Sequence, residues 1–141
     1  ELPELSLLAN YFLTQCFPNA KIGTTNDFKE KKVITRSDLN KYDFVLINPS
    51  YLNKLEDNIV DISINTTSLG EMTNKMQKFY INKIEHITDK YFYSVNRAKK
   101  RVEKYNSNGF YDLNLESNWH SLIYGYTHTY HIEFLGKKIK N

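Results

Sequence analysis

The chain is poor in the residues that build covalent or metal frameworks. Its one cysteine, Cys16, excludes an intramolecular disulfide and a zinc cluster of the four-cysteine type. Cys16 falls between Leu13 and Phe17 in an apolar run, where it reads as a small buried hydrophobe. Of the four histidines, His128 and His131 are three apart, a spacing that puts them on opposite faces of a strand, so no metal site is expected. No apolar run approaches the 18 residues of a membrane span, and the N-terminus lacks the basic, apolar and small-residue segments of a secretory leader. These absences point to a cytoplasmic protein. Neither sign of charge dominates, since 19 Lys and Arg face 16 Asp and Glu. A net charge of +3 is too mild to argue for nucleic acid. The densest basic stretch, RAKKRVEK from Arg97 to Lys104, reads as a solvated helix face.

What is present fits one globular domain spanning residues 1–141. LSLLANYFLTQCF, Leu5 to Phe17, is apolar almost all round and predicts a well-buried helix, opened by Pro3 and Glu4 and ended by Pro18. Lys21 to Lys41 is polar and weakly patterned, a connection with at most a short strand near Lys32 to Thr35. YDFVLI, Tyr42 to Ile47, predicts a buried strand stopped by Asn48-Pro49, and Leu52 to Asn58 a loop or one helical turn. IVDISIN, Ile59 to Asn65, predicts a second strand. Met72, Met76, Phe79, Tyr80, Ile84 and Ile87 then recur at helical spacing. KYFYSVN, Lys90 to Asn96, predicts a third strand, and strand, helix, strand at this spacing implies a parallel βαβ unit. NSNGF, Asn106 to Phe110, is a turn or loop. Trp119 to Thr127 and Thr129 to Gly136 predict an antiparallel pair. The fold class expected is α/β, a Rossmann-like partial parallel sheet with flanking helices and a C-terminal antiparallel pair.

Ligands of such sheets sit beyond the carboxyl ends of the strands. Those ends here are Asn48 to Tyr51, Asn65 to Ser68, and Asn96 with Arg97; all are polar and all begin with Asn. In NTTSLGEM, Asn65 to Met72, Ser68-Leu69-Gly70-Glu71 also matches the capping box, with the Ser hydroxyl and Glu carboxylate exchanging bonds with each other's amides. A cap, a catalytic Glu71, or both fit the spacing. Asp61 is expected to pair with a neighbouring base or amide, Trp119 to be core, and Tyr91, Phe92 and Tyr93 to form a half-buried strand.

Three stretches resemble the bacterial sugar O-methyltransferase family, class I S-adenosylmethionine-dependent enzymes. They are ELPELSLLANYFL at Glu1 to Leu13, VDISINTTSLGEM at Val60 to Met72, and KYFYSVNR at Lys90 to Arg97. The resemblance implies methyl transfer to a sugar hydroxyl in glycan or surface-polysaccharide biosynthesis, with a sugar, nucleotide-sugar or glycan acceptor. It assigns cofactor contacts to Glu1 (ribose), Asn48 (adenine) and Asn65 (methyl end), and acceptor contacts to Ser68, Asn96 and Arg97. Glu71 or His120 would be the base. Class I enzymes open with a strand and a Gly-rich loop, whereas the five glycines here, at 23, 70, 109, 125 and 136, form no such loop. The expectation is therefore the C-terminal part of a longer enzyme. The alternative is a non-catalytic α/β interaction module whose exposed sheet edge pairs with another chain or a second copy.

Overall fold

A computed structural model of the chain describes residues 3–98, 115, 118–128 and 130–139. Glu1, most of the basic stretch after Arg97, the NSNGF segment and Thr129 lie outside the described residues. Two compact units form, Glu1–Ile59 and Val60–Asn141.

Unit 1 opens with helix α1, Pro3–Cys16. The helix is where the leucine-rich composition predicts it, but it is not buried. Leu7 is 73% exposed, Tyr11 68%, Leu8 65% and Phe12 64%, and Cys16 is exposed as well. Leucine favours the helix through local propensity, whether or not the chain supplies a surface to cover it. Two short strands, β1 (Ile22–Thr24) and β2 (Phe44–Leu46), pair in parallel with Gly23 opposite Val45. Gly23 is required by close approach, because a Cβ there would meet the Tyr42 ring at 2.9 Å. That ring in turn makes an edge contact with buried Phe28. The strand expected near Lys32 to Thr35 reduces to one bridge, Ile34 to Leu55. The real partner of β2 lies in the stretch read as connection, and three residues are too few to show a period.

Helix α2, Arg36–Leu39, is opened by a complete capping box. The Thr35 hydroxyl accepts from the Asp38 amide at 3.3 Å, and Asp38 Oδ2 accepts from the Thr35 amide at 3.2 Å. Lys31 and Lys41 donate to the other Asp38 oxygen at 2.9 and 3.0 Å. Those two ammonium donors and the Thr35 amide hold the carboxyl far below the usual carboxylate range. A 3-10 turn, Pro49–Lys54, follows β2.

Unit 2 contains β3 (Val60–Thr66), α3 (Asn74–Ile87), β4 (Thr88–Arg97), β5 (Trp119–His128) and β6 (His131–Lys138). The sheet order is β3-β4-β6-β5. β3 and β4 are parallel with α3 between them in sequence, and β4-β6 and β6-β5 are antiparallel. The βαβ unit and the closing antiparallel pair thus match the sequence pattern, giving a mixed α/β fold.

Burial alternates along β4, with Phe92, Ser94, Asn96 and Ala98 inward. Phe92 packs against Trp119 and Phe134, with ring centroids 5.6 and 6.3 Å apart. Trp119 is core, as expected, at 1% exposure. The helix presents Tyr80, Ile81 and Ile84 to this cluster, with Gln77 buried beside them. Positions 77, 80, 81 and 84 form one helical stripe, whereas Met76, counted among the apolar positions, is exposed. Gln77 takes an inward place because its Nε2 donates to the Leu69 carbonyl at 2.8 Å. Asp61 meets Lys90 at 2.9 Å, the basic partner expected of it.

Candidate functional site

The chain leaves β3 through NTTSLGEM. Thr67 adopts φ 59°, the left-handed region that a β-branched residue rarely enters. Its amide donates to the Val95 carbonyl at 2.7 Å, which ties the turn back to β4. A single 3-10 turn, Leu69–Glu71, follows, and α3 starts only at Asn74. The capping box predicted at Ser68 and Glu71 does not form, since the Ser68 side chain makes no cap hydrogen bond. The cap is Thr73, whose hydroxyl accepts from the Met76 amide. Ser68 fails because its φ and ψ of −84° and −34° are already helical, whereas an N-cap needs extended backbone. Thr73 has it, with ψ 156°.

The Ser68 hydroxyl belongs to a different structure. Asn65 Nδ2 donates to Ser68 Oγ at 2.6 Å, and Asn96 Nδ2 donates both to Asn65 Oδ1 at 2.9 Å and to Ser94 Oγ at 2.7 Å. The Gly70 amide closes the circuit on Asn96 Oδ1 at 3.4 Å. Register explains the meeting, because Asn65 lies directly opposite Ser94 in the parallel ladder, two residues from Asn96 on the same face. The residues singled out at two of the strand ends therefore form one hydrogen-bonded network at the carboxyl edge of β3 and β4. Asn96 is 1% exposed and uses both amide ends internally. It therefore holds the loop from inside.

The charged groups of this edge remain outside the network. Arg97 Nη2 lies 3.6 Å from Glu71 Oε1, with 30% of the Arg97 and 53% of the Glu71 side chain exposed. His131, first residue of β6, is the register partner of Arg97 and shares its face. His128 and His131 are not on one strand as the spacing implied. They sit on β5 and β6 as backbone register partners across the hairpin. No group of three or more His, Cys, Asp or Glu suited to a metal occurs among the described residues. Further along the outer face, Tyr93 donates to Glu133 Oε1 at 2.7 Å, and this bond to a carboxylate raises the phenol above its ordinary range.

His120 is not part of this edge. It pairs with Lys137, which pairs with Tyr91 near the start of β4. From Tyr91 to Arg97 the strand runs roughly 20 Å at about 3.3 Å per residue. The two antiparallel steps, β4 to β6 to β5, return the start of β5 to the far end of the sheet, so His120 cannot serve with Glu71 there.

In unit 1 the carboxyl ends of β1 and β2 open on a cavity of about 450 Å³, lined by Asn10, Thr24, Thr25, Asn26, Asn48 and Ser50 among others. Among the described residues its lining carries no charged side chain. Asn48 Oδ1 accepts from the Ser50 amide and hydroxyl at 3.0 and 2.9 Å, and the Asn48 amide donates to Thr25 Oγ1 at 2.9 Å. Sequence reasoning found Asn48 but missed Thr24 to Asn26, which follow the unrecognised β1, and missed Ser94 and Gln77, which carried no signal beyond being polar in apolar runs.

No family model matches the chain, and no curated protein does. Solved structures that resemble it include PH0226 protein from Pyrococcus horikoshii OT3, with a TM-score of 0.57 at 8% identity, covering 92% of this chain and 76% of that one. Another is a protein from Sulfolobus solfataricus provisionally assigned as a type 11 methyltransferase, with a TM-score of 0.47 at 15% identity, covering 94% and 93%. The first likeness is one of fold alone, and the second is too loose to carry an argument. The α/β fold is shared; the chemistry has to come from the chain's own residues.

Proposed function

We propose that the chain is part of an S-adenosylmethionine-dependent methyltransferase acting on a sugar hydroxyl in glycan or surface-polysaccharide synthesis. The observation that carries this reading is the union of VDISINTTSLGEM and KYFYSVNR. Two stretches whose resemblance was noted separately meet at the carboxyl edge of one parallel strand pair, joined through Asn65 and Asn96.

The described residues fit part of the cofactor. The cavity of unit 1, whose described lining is uncharged, falls within the few-hundred-Å³ range of small-molecule sites and suits a neutral purine nucleoside, with Asn48 among its polar groups. No described residues provide a cradle for the charged amino-acid portion. Gly23 and Gly136 are both filled by packed rings rather than open to a ligand. When bound, the cofactor supplies an activated methyl group. The chain's own task is to hold the acceptor hydroxyl and take its proton, a role we assign to the exposed Glu71 carboxylate. Asn65 and Asn96 position the loop that bears it, and His120 has no role.

The test is Glu71→Gln in the intact enzyme. Transfer of labelled methyl to sugar should fall about 100-fold or more, as for a general base, while the melting temperature stays within a degree or two of wild type. Normal turnover with a large loss of stability would make Glu71 structural. An upstream strand and Gly-rich loop in the same reading frame is also expected, and its absence would remove the enzyme reading.

One observation favours the interaction-module reading. Among the described residues β3 is an edge strand, with Ile62 and Ile64 46% and 66% exposed and no lysine or proline within it. A stable dimer with no cofactor binding in calorimetry would select that alternative.

A further inference from the structure

We propose that the ligand received at the carboxyl edge of β3 and β4 carries an oxyanion, a phosphate or a carboxylate, which Arg97 binds by exchanging it for Glu71. This deepens the reading above by naming the acceptor class, an anionic rather than a neutral sugar.

The argument starts from what the edge has left to offer. Asn65, Asn96, Ser68, Ser94 and the Gly70 amide bond one another, so much of the neutral hydrogen-bonding capacity of the edge is already engaged. Arg97 is the opposite case. Its side chain is mostly covered, at 30% exposure, yet its ion-pair contact among the described residues is a single 3.6 Å approach to Glu71, longer than a hydrogen bond. A guanidinium has five donors in a planar fork, and covering it without hydrogen bonds is unfavourable. The fork matches two oxygens of one phosphate or carboxylate, a match an ammonium cannot make. His131, its register partner on the same face, adds a further nitrogen-bearing ring to that row.

Glu71 is then the internal competitor. Its carboxylate is 53% exposed and holds Arg97 by one long contact, which a better-placed oxyanion displaces. The oxyanion thus takes the Arg97 fork from the carboxylate proposed as the base, so ligand recognition and a change at Glu71 become one event.

The 141-residue chain is titrated with inorganic phosphate, with glucuronate, and with glucose as the uncharged control. The readout is NMR of the Arg97 side-chain N–H and of the Gly70 and Glu71 amides. Phosphate or glucuronate should shift these signals saturably and glucose should not, and the tighter of the two anions identifies the source of the oxyanion. Arg97→Gln should weaken binding about tenfold or more, and Arg97→Lys by less, because charge survives while the fork is lost. Glu71→Gln should tighten it severalfold by removing the competitor. Trp119 fluorescence reports whether each variant is folded. If Arg97→Gln does not fold, the Glu71→Gln comparison decides, since unchanged or weaker anion binding there overturns the proposal. So do equal responses to glucose, or shifts confined to other residues. S-adenosylmethionine is titrated separately: anion binding without cofactor binding sinks the methyl-transfer reading and leaves the Arg97 site standing. Cofactor binding without anion binding does the reverse.

Discussion

Replacing Asn96 by alanine should unfold unit 2 far more readily than any other single change at the carboxyl edge. The side chain is 1% exposed and donates at 2.9 Å to Asn65 and at 2.7 Å to Ser94, itself fully buried, while accepting weakly from Gly70 at 3.4 Å. Two good bonds at about 1 kcal/mol each, plus about 1 kcal/mol for leaving buried Ser94 without its partner, give a loss on the order of 2–4 kcal/mol. For a unit of this size that is a fall of roughly 10–20 °C in melting temperature. Ser68→Ala removes only the exposed end of the same chain of bonds and should cost less than about 1 kcal/mol. The chain's single tryptophan, Trp119, lies in the core of unit 2, so its fluorescence during urea unfolding reports this unit and not unit 1. Equal midpoints for Asn96→Ala and Ser68→Ala would refute the network as the element that fixes the loop.

Three further outcomes are expected. The Asp38 carboxyl is lowered in the folded state by Lys31, Lys41 and Thr35, so its contribution is present above about pH 4 and lost as the pH falls below it; Asp38→Asn should flatten the acid side of a pH-stability curve for unit 1. Thr73→Ala should cost unit 2 about 0.5–1 kcal/mol in urea unfolding by removing the cap of α3; a neutral result would return the cap to the Ser68 turn. Gly136→Ala would set a methyl 2.7 Å from both the Phe134 ring and Trp119 Cβ, so a loss of about 1–3 kcal/mol is expected in thermal unfolding.

Much of unit 2 was legible because its signals are periodic. β4 alternates, α3 repeats at three and four, and the β5-β6 pair is bounded by polar residues, so the order of elements follows from the sequence. The errors arise where a local rule has two solutions. S-x-x-E reads as a cap at Ser68, but Thr73-Asn74 also fits a helix start, and the extended backbone at Thr73 decides it. Apolar composition placed α1 in a core, yet composition reports a need for cover and not its source. His120 was a candidate base with no local signal of its place in the sheet; only register shows which end holds it. Asn65 and Asn96 were found as strand ends, but their mutual bonds depend on a parallel pairing no local pattern encodes.

The strained turn at Thr67 gives these bonds their meaning. A β-branched residue in the left-handed region costs about 1–2 kcal/mol, and it persists only where its surroundings over-determine it. Here the Thr67 amide is fixed to Val95, and the residues on either side, Asn65 and Ser68, are fixed to each other and to Asn96. Helix capping does not require this, since Thr73 caps α3 without it. What the bonds do fix is the short segment that carries Glu71 beside Arg97. A loop held by its own polar groups has few left for ligand, so recognition falls to the two charges it presents, and rigidity becomes a means of aiming them. The Asn65–Asn96 bond and the Glu71–Arg97 contact are therefore coupled: breaking the first should loosen the second. A double-mutant cycle between Asn65→Ala and Arg97→Gln should show a coupling of at least about 0.5 kcal/mol in unit 2 stability although no bond joins the two side chains. Strict additivity would separate the scaffold from the charges it carries.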